Sequence, residues 1–447
     1  MRFLLLLSLL SPLSCLAETT QKGLEQVQHI IVIYLENHGF DNLYGRFPNA
    51  DGLPEHPTPQ TDPNGQPYVS LPPVMNTEHK PAVLDSRFPS DLPNRPFPID
   101  RYVPPEQKTG DLVHRFYQNQ AQIHGGLNDR FAAISDAGGL AMGYYDGSTL
   151  PLRKYAQRYT LADHFFQGAF GGSFLNHFWL VCACTPRFDN ATEAMRAVLD
   201  KDGRLIKDGA VTPDGYAVNT LQPATIPFKL GTSPAARLPL QPMDTIGDRL
   251  SENGIAWAWY SGGWQAAIDG HPGPDFQFHH QPFGYFSRYA EGTPGRAEHL
   301  KDEAEFLSGI DSGHLPAVAF YKPIGELNEH PGYADLMAGE QHIAELLGRI
   351  EKSPLWHNAV VIVTYDENGG FWDHVAPPAK DRWGPGTRVP TLVISPWAKR
   401  SHVDHTEYDT TSILKLIETR FGLQPLGTRD ENADGLSGAF DFDQPPD

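Results

Sequence analysis

The chain has 447 residues, 40% hydrophobic and 20% charged, which is ample for a sizeable core, and no internal apolar run is long enough to span a bilayer. Without such a run no stable membrane insertion is expected, and the formal net charge of -19, from 54 acidic against 35 basic residues, disfavours nucleic acid or an anionic membrane surface as the main partner. An anionic ligand would need a local reversal of sign, which a divalent ion and some of the 19 histidines can supply.

At the N-terminus, Arg2 precedes the apolar stretch Phe3 to Leu10, and Cys15-Leu16-Ala17 places small residues where a signal peptidase reads. Residues 1–17 are therefore expected to be a signal peptide, with the mature chain starting at Glu18 and exported to the periplasm or secreted. A lipoprotein centred on Cys15 is the weaker reading, because Pro12 stands where a leucine is expected. Residues 18–447 read as a single domain without internal repeats or a marked linker.

The first predicted strand, Ile30 to Leu35, ends at Glu36-Asn37, and a Pro- and Gly-rich loop region follows from Pro48 to Pro105. Cys182 and Cys184, one residue apart in an apolar stretch, read as buried thiols, since a bridge across one residue is awkward and two cysteines cannot close a zinc site. Residues 187–241 are loop-like and are expected to form a cap or excursion. Further strands are expected at Ile255–Tyr260, Ala317–Tyr321, Ala359–Thr364 and Thr391–Ile394, all with the composition of central strands. One helix runs from Ala334 to Ile350, with Leu336, Met337, Ile343, Leu346, Leu347 and Ile350 on one stripe. Another starts after Asp409 as N-cap, turns Ile413, Leu414, Leu416 and Ile417 inward and stops at Gly422. This alternation predicts a three-layer α/β/α sandwich around a largely parallel sheet, with loop excursions forming a cap.

Two strand ends carry oxygen ligands followed by glycine. Ala359–Thr364 leads into Tyr365-Asp366-Glu367-Asn368-Gly369-Gly370-Phe371-Trp372-Asp373-His374, and the first strand leads into Glu36-Asn37-His38-Gly39-Phe40-Asp41. Ligands of open α/β sheets gather beyond the carboxyl ends of strands, so Glu36, Asn37, Asp366 and Glu367 together would make a hard, oxygen-rich cation site. The alternative for each pair alone is a solvated turn.

A third segment, Phe170-Gly171-Gly172-Ser173-Phe174-Leu175-Asn176-His177, sets a serine at the start of an apolar helix. Backbone N–H groups there favour an anion, and a metal could lower the pKa of the hydroxyl, although an N-cap serine satisfies the same pattern. His114, His279, His280 and His330 are candidates to bind a phosphate or protonate a leaving oxygen. His374 is either a further candidate or a residue that locks the loop after Gly370.

On the Glu-Asn-x-x-Phe-Asp box at Glu36 to Asp41, the Gly-Gly-Ser-Phe-Leu-Asn-His box at Gly171 to His177, the box at Tyr365 to His374, and Arg388-Val389-Pro390 leading into Ile394-Ser395-Pro396, the chain resembles a known family. It is the phosphoesterase family that joins bacterial acid phosphatases with phosphatidylcholine-type phospholipases C, a branch of the alkaline-phosphatase-like fold. The resemblance runs from about residue 27 to 425. It implies a divalent metal ion, of a kind that the ligands leave open, held by Glu36, Asn37, Asp366, Glu367 and Ser173. Ser173 would be the nucleophile that becomes phosphorylated, with His114, His279, His280 and His330 around the phosphate. The segments Asp111 to Gly126 and Ala137 to Asp146 look like the phosphatase form, whereas Leu127 departs from the methionine that related sequences often carry before Asn128-Asp129. The expectation is an exported, metal-dependent acid phosphatase acting on small phosphorylated substrates. A phospholipase C cleaving phosphatidylcholine-type diesters, or a non-catalytic periplasmic metal- or phosphate-binding protein, are the alternatives.

Overall fold

The computed structural model describes residues 23–445, so the expected signal peptide lies outside the described residues. Eight strands make one sheet: β1 (His29–Leu35), β2 (Thr160–Ala162), β3 (Trp257–Ser261), β4 (Leu300–Asp302), β5 (Val318–Lys322), β6 (Ala359–Tyr365), β7 (Thr391–Ile394) and β8 (His402–Asp404). Their spatial order is β4-β3-β5-β1-β6-β7-β2-β8. Strand β7 runs antiparallel to both its neighbours, and all other pairings in this sheet are parallel.

Strands β5 and β6 are buried along their whole length, and β1 along all but His29, as expected for β-branched and aromatic runs covered on both faces. Among the described residues, the helices of eight residues or more are α1 (Phe116–Ile123), α2 (Ser173–Cys182), α3 (Glu303–Ser312), α4 (Leu336–Lys352) and α5 (Thr411–Phe421). They pack in separate groups, α3 against α4 and α2 against α5, around a mostly parallel central sheet, the expected α/β architecture.

The strands predicted at 30–35, 255–260, 317–321, 359–364 and 391–394 all form, within two residues of their expected ends, and all are internal to the sheet. Strands β2, β4 and β8 have three residues each, too short to register as a hydrophobic run. Helix α5 ends at Gly422 in the left-handed conformation as expected. Its N-cap, however, is Thr410 instead of Asp409, whose carboxylate accepts the Thr411 N–H at 2.8 Å from one residue further out.

The cysteines also differ from expectation. Cys182 closes α2, and Ala183 takes a left-handed φ of 47° that turns the chain back. The Cα atoms of Cys182 and Cys184 come within 5.1 Å, and the two residues form a disulfide instead of remaining thiols.

The loop region from Pro48 to Pro105 holds only short pieces, among them the two-residue pair Met75–Asn76 and Val83–Leu84. Residues 187–241 likewise carry only short elements, the pairs Val198–Leu199 with Leu205–Lys207 and Gln222–Pro223 with Arg237–Leu238 and a 3-10 turn at Pro234–Ala236.

Candidate active site

The strand register assembles the two acidic segments. Leu35 pairs with Tyr365, so Glu36 and Asp366 leave the sheet at the same level, and the Asp366 N–H donates to Leu35 O at 3.1 Å. Asn37 then adopts a left-handed φ of 69°. Gly369, at φ 62°, packs its Cα against that turn so closely that a Cβ would lie 2.1 Å from Asn37 O. A left-handed non-glycine residue is uncommon and costs energy, so surrounding structure must hold Asn37 in this shape.

Glu36, Asn37, Asp366 and Glu367 are all buried. The Lys322 ammonium, at the end of β5, lies 2.9 Å from Glu36 Oε1, His280 Nε2 contacts the same oxygen, and the Tyr333 hydroxyl donates to Oε2 at 3.0 Å. Burial opposes ionisation of Glu36, but the charges of His280 and Lys322 outweigh it and hold this carboxyl well below its ordinary range. His280 is itself lowered to about 4 by burial, despite Glu36, so at neutral pH the ammonium of Lys322 is the partner that keeps Glu36 charged.

Asp366 and Glu367 are in the opposite condition. Burial first, then the charge of Glu36, push Asp366 up to about 7, with Lys322 opposing. Burial and the charge of Asp366 push Glu367 well above the carboxylate range. Asp366 Oδ2 and Glu367 Oε1 are both buried without a hydrogen-bond partner. Buried, mutually repelling carboxylate oxygens without donors are what a divalent cation would satisfy, so the residues present fit such an ion.

Ser173 is the first residue of α2, and Gly172, not Ser173, occupies the N-cap. The N-cap reading of the serine therefore fails: its hydroxyl donates to Asn37 Oδ1 at 3.3 Å, and the peptide N–H groups of the helix start remain as an anion-binding feature. The glycines before it have a packing role, since a Cβ would lie 2.4 Å from Phe116 N at Gly171 and 2.7 Å from His114 O at Gly172. That close approach brings His114 to the serine. His114 Nδ1–H donates to Leu112 O at 2.5 Å, which leaves Nε2 to accept from Asn37 Nδ2 at 3.4 Å.

A cavity of about 340 Å³ opens above this cluster, lined by Glu36, Ser173, His114, His279 and His330 together with Asp111, Arg115, Gln277 and Tyr333. Val218, Asn219 and Thr220 of the 187–241 excursion complete its wall. His280 is not on that wall but supports Glu36 and stacks on His177 at a ring separation of 5.5 Å. His330 stacks on Tyr333 at 4.2 Å, with its Nε2 3.8 Å from Glu36 Oε2. Burial lowers His114, lowers His279 well below its ordinary value, and takes His280 to about 4.

His374 lies apart from the cavity wall, in a network with Asp41 Oδ2 at 2.7 Å, Asp51 Oδ1 at 3.1 Å and Arg388, whose guanidinium also meets Asp373 at 2.8 Å. It locks the loop after Gly370. Burial alone would lower it, but the hydrogen bond and charge of Asp41 raise it to about 9, so it is a cation at neutral pH.

Several residues at the site carried no assigned role in the sequence. Lys322 is a lysine at the end of a fully apolar strand, a position rare without a partner. His177 follows Ser173 by four residues, one helical turn, and its Nδ1–H donates to Ser173 O at 2.8 Å. Two groups place three ligand atoms within 4.8 Å of one another here: Glu36 with His177 and His280, and Asp111 with His114 and His330.

Known proteins show the same lineage. A model described as "Phosphoesterase family" matches residues 27–424. "Phospholipase C B" of Mycobacterium tuberculosis is 24% identical over 478 residues, which cover 95% of this chain and 79% of that protein. "Hemolytic phospholipase C" of Pseudomonas aeruginosa is 24% identical over 444 residues, covering 90% of this chain and 53% of that protein. Among solved structures, the lipoteichoic acid synthase LtaP from Listeria monocytogenes covers 94% of this chain and 82% of its own at 8% identity and a TM-score of 0.37, too remote to bear on chemistry. With the family match spanning nearly the whole chain, the protein belongs to the Phosphoesterase family of phosphoric ester hydrolases.

Proposed function

We propose that this protein is an exported, metal-dependent acid phosphatase that hydrolyses small phosphomonoesters through a phosphoserine on Ser173. The observation that carries the reading is the Ser173 hydroxyl, at the N-terminus of the ten-residue helix α2, opening into a cavity that it shares with His114, His279 and His330. Glu36, Asn37, Asp366 and Glu367, with the Ser173 oxygen, would hold a divalent ion, which when bound supplies Lewis-acid chemistry to the phosphoryl group and to the hydroxyl.

The chain's own residues do the rest. Asn37 holds the serine oxygen through its amide, and the helix start offers peptide N–H groups to the equatorial phosphate oxygens. The Ser173 oxygen bonds to phosphorus as the ester oxygen leaves with a proton, and water then breaks the serine–phosphorus bond to release phosphate. His114 and His330 give Nδ1–H to the carbonyls of Leu112 and Pro331, so each donates to the phosphate from Nε2 only once that nitrogen is also protonated, and Arg115 on the cavity lining suits the second charge of a monoester. An acid optimum is part of the proposal, since bound phosphate offsets the burial that lowers His114 and His279. A profile of kcat/KM that rises to above pH 8 without loss overturns that part.

Ser173→Ala is expected to lower turnover of p-nitrophenyl phosphate by roughly 10³-fold or more while leaving the folded protein intact by circular dichroism. Wild-type turnover in this variant would exclude Ser173 as the nucleophile. A second reading, phospholipase C, is favoured by the relatives from Mycobacterium tuberculosis and Pseudomonas aeruginosa, and higher turnover on phosphatidylcholine than on p-nitrophenyl phosphate would select it.

A further inference from the structure

On the same rim of the sheet as the candidate active site, but beyond β7, the parallel strands β2 and β8 end side by side in Ala162 and Asp404, which are paired in register. The next residues are Asp163 and His405, and His164 follows Asp163. The Asp163 carboxylate is buried. Its Oδ1 accepts from His164 Nδ1 at 2.9 Å and its Oδ2 from His405 Nδ1 at 2.8 Å. Asp163, His164 and His405 place one ligand atom each within 4.8 Å of one another.

Two further features go with coordination. Metal-binding imidazoles usually give their other ring N–H to a carboxylate, and His164 Nε2 lies 3.3 Å from Asp51 Oδ2. Asp51 is itself fixed: its N–H donates to Asp163 Oδ2 at 2.7 Å, its carbonyl accepts from Arg388 at 2.9 Å, and its Oδ1 meets His374. Access is open as well, because the His405 side chain is 60% exposed and Asp51 46%.

We propose that Asp163, His164 and His405 form a second divalent-cation site, distinct from the Ser173 site, with Asp51 orienting His164 and solvent completing the coordination. Metal–ligand bonds of about 2.0–2.2 Å in a tetrahedral site set ligand atoms ~3.3 Å apart; the two imidazoles now face different oxygens of Asp163, at 2.9 and 2.8 Å, and the three ligand atoms lie within 4.8 Å, so binding requires a side-chain adjustment. No proton need leave a neutral imidazole: each moves its hydrogen from Nδ1 to Nε2, where Asp51 receives that of His164 and water that of His405. Two nitrogens and one carboxylate suit zinc, cobalt or nickel better than magnesium or calcium. The ion would tie the ends of β2 and β8 to the Asp51 loop and, through Arg388 and His374, to the segment that carries Asp366.

Equilibrium dialysis of the full protein against Zn²⁺ alone tests this, on wild type, His405→Ala, Asp51→Ala and Glu367→Gln, the last to disable the Ser173 site. Wild type and Glu367→Gln are each expected to hold one more Zn²⁺ than the same protein carrying His405→Ala. Asp51→Ala is expected to weaken that ion by ~10–100-fold. Zn²⁺ is also expected to raise the melting temperature of Glu367→Gln but not of Glu367→Gln/His405→Ala. Equal Zn²⁺ uptake with and without His405, in variants whose circular dichroism matches wild type, overturns the proposal.

Discussion

Asn37 illustrates how one residue's backbone governs the site. Its left-handed turn aims the side chain at both Ser173 and His114, and Gly369 leaves no room for a Cβ beside Asn37 O. Gly369→Ala must therefore shift backbone beside Ser173, where, with Ser173 as the proposed nucleophile, a misplacement of ~1 Å can cost on the order of 10²-fold. A fall of that size in kcat on p-nitrophenyl phosphate, with retained circular dichroism, is expected; unchanged kcat would show that Asn37 does not position the serine. Glu36, Asn37, Asp366, Glu367 and Ser173 were legible as candidates because the first four follow apolar strands and precede glycine, and Ser173 follows two glycines at the start of an apolar helix, patterns with a chemical motive. Lys322 was not, because its meaning comes from Glu36, 286 positions away in the chain and 2.9 Å away in space. The histidines were legible as residue types only, since composition does not reveal the burial that lowers His114, His279 and His280.

Helix α4 was predicted from its apolar stripe, and Asp335, whose side chain accepts the Ala338 N–H at 2.8 Å, starts it. What the periodicity could not indicate is that Glu340 belongs to the buried face. Its Oε2 accepts the Leu152 N–H at 2.6 Å and so ties α4 to the start of the helix Leu152–Arg158. Burial raises Glu340 from 4.5 to about 8, so the native state binds a proton that the unfolded chain has lost between those values. Its stabilising effect is full below about 4.5 and declines as pH rises through about 8. Glu340→Gln keeps an acceptor for Leu152 without that charge. The variant is expected to lose less stability than wild type as pH rises from about 4.5 to about 8, read from urea midpoints. Parallel profiles for the two proteins would show that Glu340 is ionised in the native state.

Across the whole molecule, the acidic residues matter most where Glu36, Asp366 and Glu367 are buried near one another in the interior. A bound divalent ion stabilises whichever state it prefers, so chelation is expected to abolish phosphatase activity and lower the melting temperature together, and re-added divalent ion to restore both. Activity that survives exhaustive chelation would remove the metal from the proposal. The amino-acid sequence by itself determined the parallel α/β core, the central strands, the apolar stripe of α4, the C-terminal end of α5 and the segments that are candidates to carry chemistry, because hydrophobic period, caps and glycines act over a few neighbouring residues. Only the tertiary structure decided which histidines reach the cavity, that Lys322 neutralises Glu36, that Gly171 and Gly172 admit the His114 segment, that Cys182 and Cys184 are paired, and that Asp163 gathers two imidazoles on the far side of β7. Those facts depend on sheet order and burial, which join residues hundreds of positions apart and set the electrostatic environment that no local pattern encodes.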